Sequence, residues 1–137
     1  MRRDYRDTCL SIFQSDITPT AHPYSMDLTE LAHYALAYDR LMRHWSEVLG
    51  DRLVRVRYED IVTDPEAEIR RLLERLDLLW DPACLEPDKS RRRINTMSVG
   101  QARKPISKSS VGRWERFAAE LEPLTLVLER HGLVHGA

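Results

Sequence analysis

The run Arg3-Asp4-Tyr5-Arg6-Asp7-Thr8-Cys9-Leu10-Ser11 sets two guanidiniums ahead of a predicted helix and a hydroxyl one to two turns into it. Guanidiniums make bidentate contacts with phosphate oxygens, and the open N–H groups and dipole at a helix start favour an anion, so the segment suits phosphate binding. Each charge-assisted hydrogen bond of that kind contributes about 1.5 to 3 kcal/mol. The competing reading is a frayed, charged terminus in which Asp7 only caps. A second candidate lies late in the chain. Thr96-Met97-Ser98-Val99-Gly100-Gln101-Ala102-Arg103-Lys104-Pro105, continued by Ser107-Lys108-Ser109-Ser110-Val111-Gly112-Arg113-Trp114, mixes hydroxyls, bases and two glycines in a loop leading into a helix. Small residues let a ligand approach the backbone, whose N–H groups can then donate. A solvated linker is the alternative. Tyr58 stands directly before Glu59-Asp60 at the end of a predicted strand, where open α/β sheets set ligands; it would pack against a base or serve as an ordinary core tyrosine.

Other chemistries find no support. The five glycines form neither a GxxxxGK nor a GxGxxG loop. His33 and His44 share a helix face but, at a rise of about 1.5 Å per residue, stand about 16 Å apart, too far to share a metal. His131 and His135 have i, i+4 spacing, which the intervening Gly132 interrupts. No His–Cys cluster suggests zinc, no Ser-His-Asp set follows from spacing, and we assign no catalytic residue and expect no metal.

The elements that must position these groups are mostly helical. From Asp27, the apolar residues Leu28, Leu31, Ala35, Tyr38, Met42, Trp45 and Leu49 advance in threes and fours, with Asp27 as N-cap, Glu30 completing a capping box and Gly50 as a stop. Leu53-Val54-Arg55-Val56-Arg57-Tyr58 alternates and is β-branched, which predicts a strand. Asp64-Pro65 opens another helix with Ile69, Leu72, Leu73 and Leu76 on one stripe. Residues 78–110 carry Pro82, Pro87 and Pro105 and show neither period, the signature of a long functional loop. Trp114, Phe117, Ala118 and Leu121 return to helical spacing, and residues 124–131 form a last helical piece ended by Gly132. Residues 8–13 also read as helix.

The 137 residues, 42% apolar and 31% charged with a net charge of −1, have a globular balance that disfavours non-specific nucleic-acid binding. The charge is unevenly spread: residues 89–116 hold nine bases against Glu115, a local +8 on a remainder of −9, so an anionic ligand would be drawn to one lobe. Two well-separated cysteines, Cys9 and Cys84, fit a reducing compartment, and no apolar run nears the roughly 18 residues that span a bilayer, so we expect a cytoplasmic chain without membrane contact. A lone strand cannot satisfy its backbone groups, and nothing else in the chain reads as its neighbour; its partner strands are expected upstream of Met1.

In order, the Arg3 to Ser11 run, Val56-Arg57-Tyr58-Glu59-Asp60-Ile61-Val62, Arg103-Lys104-Pro105-Ile106 and Ser109-Ser110-Val111-Gly112-Arg113-Trp114 resemble the C-terminal half of sulfotransferases that use 3′-phosphoadenosine 5′-phosphosulfate. The resemblance is nearest to the bacterial type often fused to tetratricopeptide repeats, and covers nearly all of residues 1–137. It implies an α/β, partial P-loop-like sulfotransferase fold, mostly helical, with one main parallel-sheet strand, the N-terminal sheet strands missing and residues 78–110 as a long cofactor-binding loop. It further implies that Arg3 and Ser11 bind the cosubstrate's 3′-phosphate, that Tyr58 contacts adenine, and that Thr96, Ser98, Gln101, Lys104, Lys108 and Ser109 close over both.

Two departures stand out: Tyr5 replaces the proline of the family's Arg-Asp-Pro-Arg motif, which would loosen that turn, and Ser107 replaces an arginine found in cytosolic members. The family's phosphosulfate-binding loop and catalytic base belong to the part before the matched segment. The implied partners are therefore the nucleotide, an unknown hydroxyl or amine acceptor, and an upstream segment carrying the rest of the domain. Such a piece would supply the nucleotide-gripping half and would not turn over alone. The alternatives are a helical interaction module and an inactive remnant.

Overall fold

A computed structural model of the chain describes residues 1–15, 20–89 and 105–134. Five local devices set the helix limits. Asp4 caps α1 (Tyr5–Phe13), its carboxylate accepting the Arg6 N–H at 2.7 Å. Asp27 caps α2 (Leu28–Leu49), accepting from the N–H groups of Thr29 and Glu30 at 2.8 and 2.9 Å, and Gly50 ends it at φ +50°, a backbone setting that costs glycine little. Asp64 caps α4 (Pro65–Arg75), which follows the short α3 (Tyr58–Thr63); Pro123 sits in the first turn of α5 (Glu122–Arg130).

The described chain falls into two compact units. One comprises Arg3–Leu53 and Ser110–Ala137. Its core joins Cys9 of α1, Leu31, Ala32 and Ala35 of α2, and Leu124 and Leu128 of α5, all but closed to solvent, with Tyr5, Ile12, Tyr24 and Leu28 packed around them. Leu31 and Ala35 belong to the apolar stripe that the 3–4 spacing of α2 predicts, but Tyr38 and Trp45, expected on the same stripe, are exposed. A neighbouring stripe of the same helix, Tyr34, Tyr38, Leu41, Trp45 and Val48, is exposed.

The other unit comprises Met1–Arg2 and Val54–Ser109 and contains α3 and α4, with Val56 and Val62 buried. Here the predicted strand is not seen among the described residues. Among the described residues the stretch is extended, but its only ladder is one parallel bridge between Arg2 and Arg57: the Arg2 N–H donates to the Val56 carbonyl at 2.7 Å and the Tyr58 N–H to the Arg2 carbonyl at 2.8 Å. Alternation predicts an extended backbone, whereas a strand exists only where a neighbour supplies successive hydrogen bonds. Among the described residues the bridge partner is Arg2, and Tyr58 opens a helix where the end of the strand was expected.

Of the loop expected over residues 78–110, the structure describes short 3₁₀ turns at Pro82–Leu85, Pro87–Lys89 and Lys108–Ser110. No helix among the described residues is long and apolar enough to cross a membrane.

Candidate anion site on the first helix

In α1, positions four apart share a face, so Asp7 and Ser11 stand one above the other, with Gln14 a turn further on. Arg3, just outside the helix, brings its guanidinium to 3.9 Å from Asp7 Oδ2. Residues 110–114 run along this stripe. The Arg3 guanidinium donates to the Ser110 carbonyl. The backbone N–H groups of Gly112 and Trp114 donate to the two oxygens of Asp7 at 2.7 and 2.9 Å, and Arg113 Nη2 donates to Gln14 Oε1 at 3.0 Å. Gly112 adopts φ +67°, the left-handed setting that lets two N–H groups two residues apart turn toward one carboxylate.

Asp7 is thus no mere cap. Its side chain is 1% exposed, and a buried carboxylate is tolerated only where donors surround it. The helix start, read from sequence as an open anion site, is filled by Asp4. Burial by itself would raise this carboxyl, but hydrogen bonds and charge from Arg6 outweigh it and hold it below the ordinary 3.8. Arg6 grips Asp4 with a two-pronged fork, Nε to Oδ1 at 3.2 Å and Nη2 to Oδ2 at 2.8 Å, while its guanidinium lies 3.6 Å from the centre of the Trp114 ring. Of the two guanidiniums, Arg6 therefore fastens Trp114, and Arg3 belongs to the stripe that carries Ser11. The thiol of Cys9, on the opposite, core side, is pushed up to about 12 by burial and then by the Asp4 charge, so it is no nucleophile.

Tyr5, which stands where the family's motif has proline, donates its hydroxyl to Asp39 Oδ1 of α2 at 2.7 Å.

Of the sequence-derived site residues, the structure places Arg3 and Ser11 on the stripe followed by residues 110–114. Tyr58, Lys108 and Ser109 belong to the other unit. Tyr58 is half-buried at the first position of α3; Lys108 and Ser109 are exposed in a turn where the Ser107 hydroxyl accepts the Ser109 N–H at 3.1 Å. Thr96, Ser98, Gln101 and Lys104 lie outside the described residues. Among the described residues no three His, Cys, Asp or Glu side chains group as a metal site. Sequence reasoning missed Asp7 and Asp39, both of which look like ordinary helix-surface acids until their partners are known. The one sequence sign for Asp39 was its place on the apolar stripe of α2, four residues after Ala35.

The model of the sulfotransferase family matches residues 1–82. An uncharacterized protein of Aquifex aeolicus (strain VF5) is 29% identical over 94% of this chain and 17% of its own length. The protein-tyrosine sulfotransferase of Drosophila melanogaster is 26% identical over 93% of this chain and 29% of its own, and protein-tyrosine sulfotransferase A of Caenorhabditis elegans 28% over 96% and 37%. The chain therefore spans little more than a third, at most, of these relatives.

Proposed function

The chain belongs to the sulfotransferase family, and from that premise we propose that it holds the 3′-phosphoadenosine end of 3′-phosphoadenosine 5′-phosphosulfate. In this reading residues 1–137 are the C-terminal part of a P-loop-like sulfotransferase domain. The observation that supports it is the fastening of residues 110–114 onto α1. Arg3, Ser11 and Asp7 come from the first motif and residues 110–114 from the last, about a hundred residues apart, and both line one stripe.

The donor set fits a phosphate monoester. Arg3 supplies a guanidinium held by the Ser110 carbonyl and Asp7, and Ser11 a hydroxyl; the family resemblance, rather than any contact, adds the ammonium of Lys108 and the hydroxyl of Ser109. Tyr58 would lie against adenine, and Thr96, Ser98, Gln101 and Lys104 would complete the closure. The bound cosubstrate supplies an activated sulfuryl group for in-line transfer to a hydroxyl or amine acceptor. The names of two relatives put a tyrosyl hydroxyl first among acceptors to try. What this chain's residues do is grip the phosphorylated ribose and neutralise its charge; general base and phosphosulfate contacts are not assigned to them.

Calorimetry on the whole chain tests this. 3′-Phosphoadenosine 5′-phosphate should bind about 10- to 150-fold more tightly than AMP, the equivalent of one charge-assisted hydrogen bond. Arg3→Ala or Ser11→Ala should remove the gain, and equal affinities would overturn the reading. The exposed stripe of Tyr34, Tyr38, Leu41, Trp45 and Val48 favours a second reading, an interaction module, in which the 3′-phosphate gives no advantage.

A further inference from the structure

Asp39 lies in the middle of α2, 4% exposed, where an apolar residue would be expected. Both of its oxygens are engaged: Oδ1 accepts the Tyr5 hydroxyl at 2.7 Å and Oδ2 lies 2.8 Å from Arg43 Nε, one turn further along the same helix. Arg43 reaches in from solvent, its side chain 66% exposed, and supplies the charge that lets a carboxylate remain buried. The acceptor is thus rigid, charged and buried. The donor is the first residue of α1, next to the cap Asp4 and two residues from Arg3.

Helical geometry gives this bond a directional consequence. At about 100° per residue, Asp7 lies about 200° and Ser11 about 240° around α1 from Tyr5. Fixing Tyr5 against α2 therefore turns Asp7 and Ser11 to the opposite side, where residues 110–114 meet Asp7. A hydrogen bond to a buried charge breaks when the helix turns.

We propose that Tyr5, Asp39 and Arg43 form a positioning triad that sets the rotation of α1 and so presents Arg3 and Ser11 to the anionic ligand. The ligand half of this inference rests on the function proposed above; the rotational half does not. Tyr5→Phe in the whole chain removes only the hydroxyl. Amide hydrogen exchange at Gly112 and Trp114 should quicken about tenfold, the loss of roughly one hydrogen bond, while amides of α5 keep their rates. In parallel, the preference for 3′-phosphoadenosine 5′-phosphate over AMP should fall about tenfold, with AMP affinity unchanged. Asp39→Asn, which keeps an oxygen acceptor for Tyr5, should retain the preference.

Unchanged exchange at Gly112 and Trp114 overturns the triad, as does an equal rise throughout α5, which would show plain destabilisation. A full nucleotide preference in Tyr5→Phe also overturns it. A wild-type chain with no preference, but with the selective rise in exchange, would sink the proposed function and leave the rotational role standing.

Discussion

Acid–base pairs occur both on α4 and around α1, and they illustrate opposite regimes. On α4, Glu66 faces Arg70 at 2.8 Å and Glu68 faces Arg71 at 2.7 Å, one turn apart, with every side chain except Glu68 about half exposed. Water competes for each charge, and a flexible arginine must be held still to make the contact. Asp7 differs in every respect. It is closed to solvent, and its donors are backbone N–H groups already fixed by the chain, 105 and 107 residues away in sequence. A carboxylate on α4 decorates a helix that forms anyway; Asp7 decides where a distant segment lies.

The sharpest test of the contrast uses the two cysteines. Cys9 of α1 is buried in the core, its thiol raised to about 12, whereas Cys84 is exposed on the turn at Pro82–Leu85. At pH 8 an aromatic disulfide reagent should modify the exposed Cys84 at once and Cys9 only after the chain opens, because Cys9 is both buried and held protonated. Equal rates would erase the distinction between the regions. The same raised value also means that stability contributed by the protonated Cys9 is complete below the unfolded value, near 9, and is lost as pH climbs toward 12.

Next in size, Asp7→Ala should cost about 3 kcal/mol in urea unfolding, because the N–H groups of Gly112 and Trp114 lose their acceptor and Arg3 loses a nearby opposite charge. A cost below about 1 kcal/mol would place Asp7 in the same class as the acids of α4. Smaller again is the acid response. Since Asp4 is held below its ordinary 3.8, its contribution is complete above that value and disappears as pH falls through the folded one. The stability difference between wild type and Asp4→Asn should therefore be present at pH 6 and shrink below pH 4, and a difference that grows on acidification would reverse the assignment. Least of all, Glu66→Gln on α4 should change stability by no more than about 0.5 kcal/mol, and that change should vanish in high salt. A larger, salt-insensitive loss would mean that α4 depends on its charges after all.

The residues that were legible in sequence are those whose partners are near in sequence. Asp27 and Asp64 act as caps because the N–H groups they satisfy follow within three residues, and Gly50 stops α2 through its own backbone. Arg3 and Ser11 were picked out by their spacing and by resemblance to a family, and the structure adds the segment that runs beside them. The stretch before Tyr58 was legible as extended backbone, whereas its hydrogen-bonded neighbour was not, since a ladder is a property of two segments. Asp7 was set aside as a local cap, and the partner of Tyr5 was not legible, for the same reason.

By itself, then, the sequence determined α2 and α4 with their caps, the last helix and the basic character of the late segment, because each follows from interactions within a turn or two. Only the tertiary structure decided that Asp4 fills the helix start, that Asp7 fastens residues 110–114, and that Tyr5 is bonded to a buried Asp39. Those outcomes depend on which polar groups burial forces together, and burial is settled by the packing of the whole unit rather than by any stretch of chain.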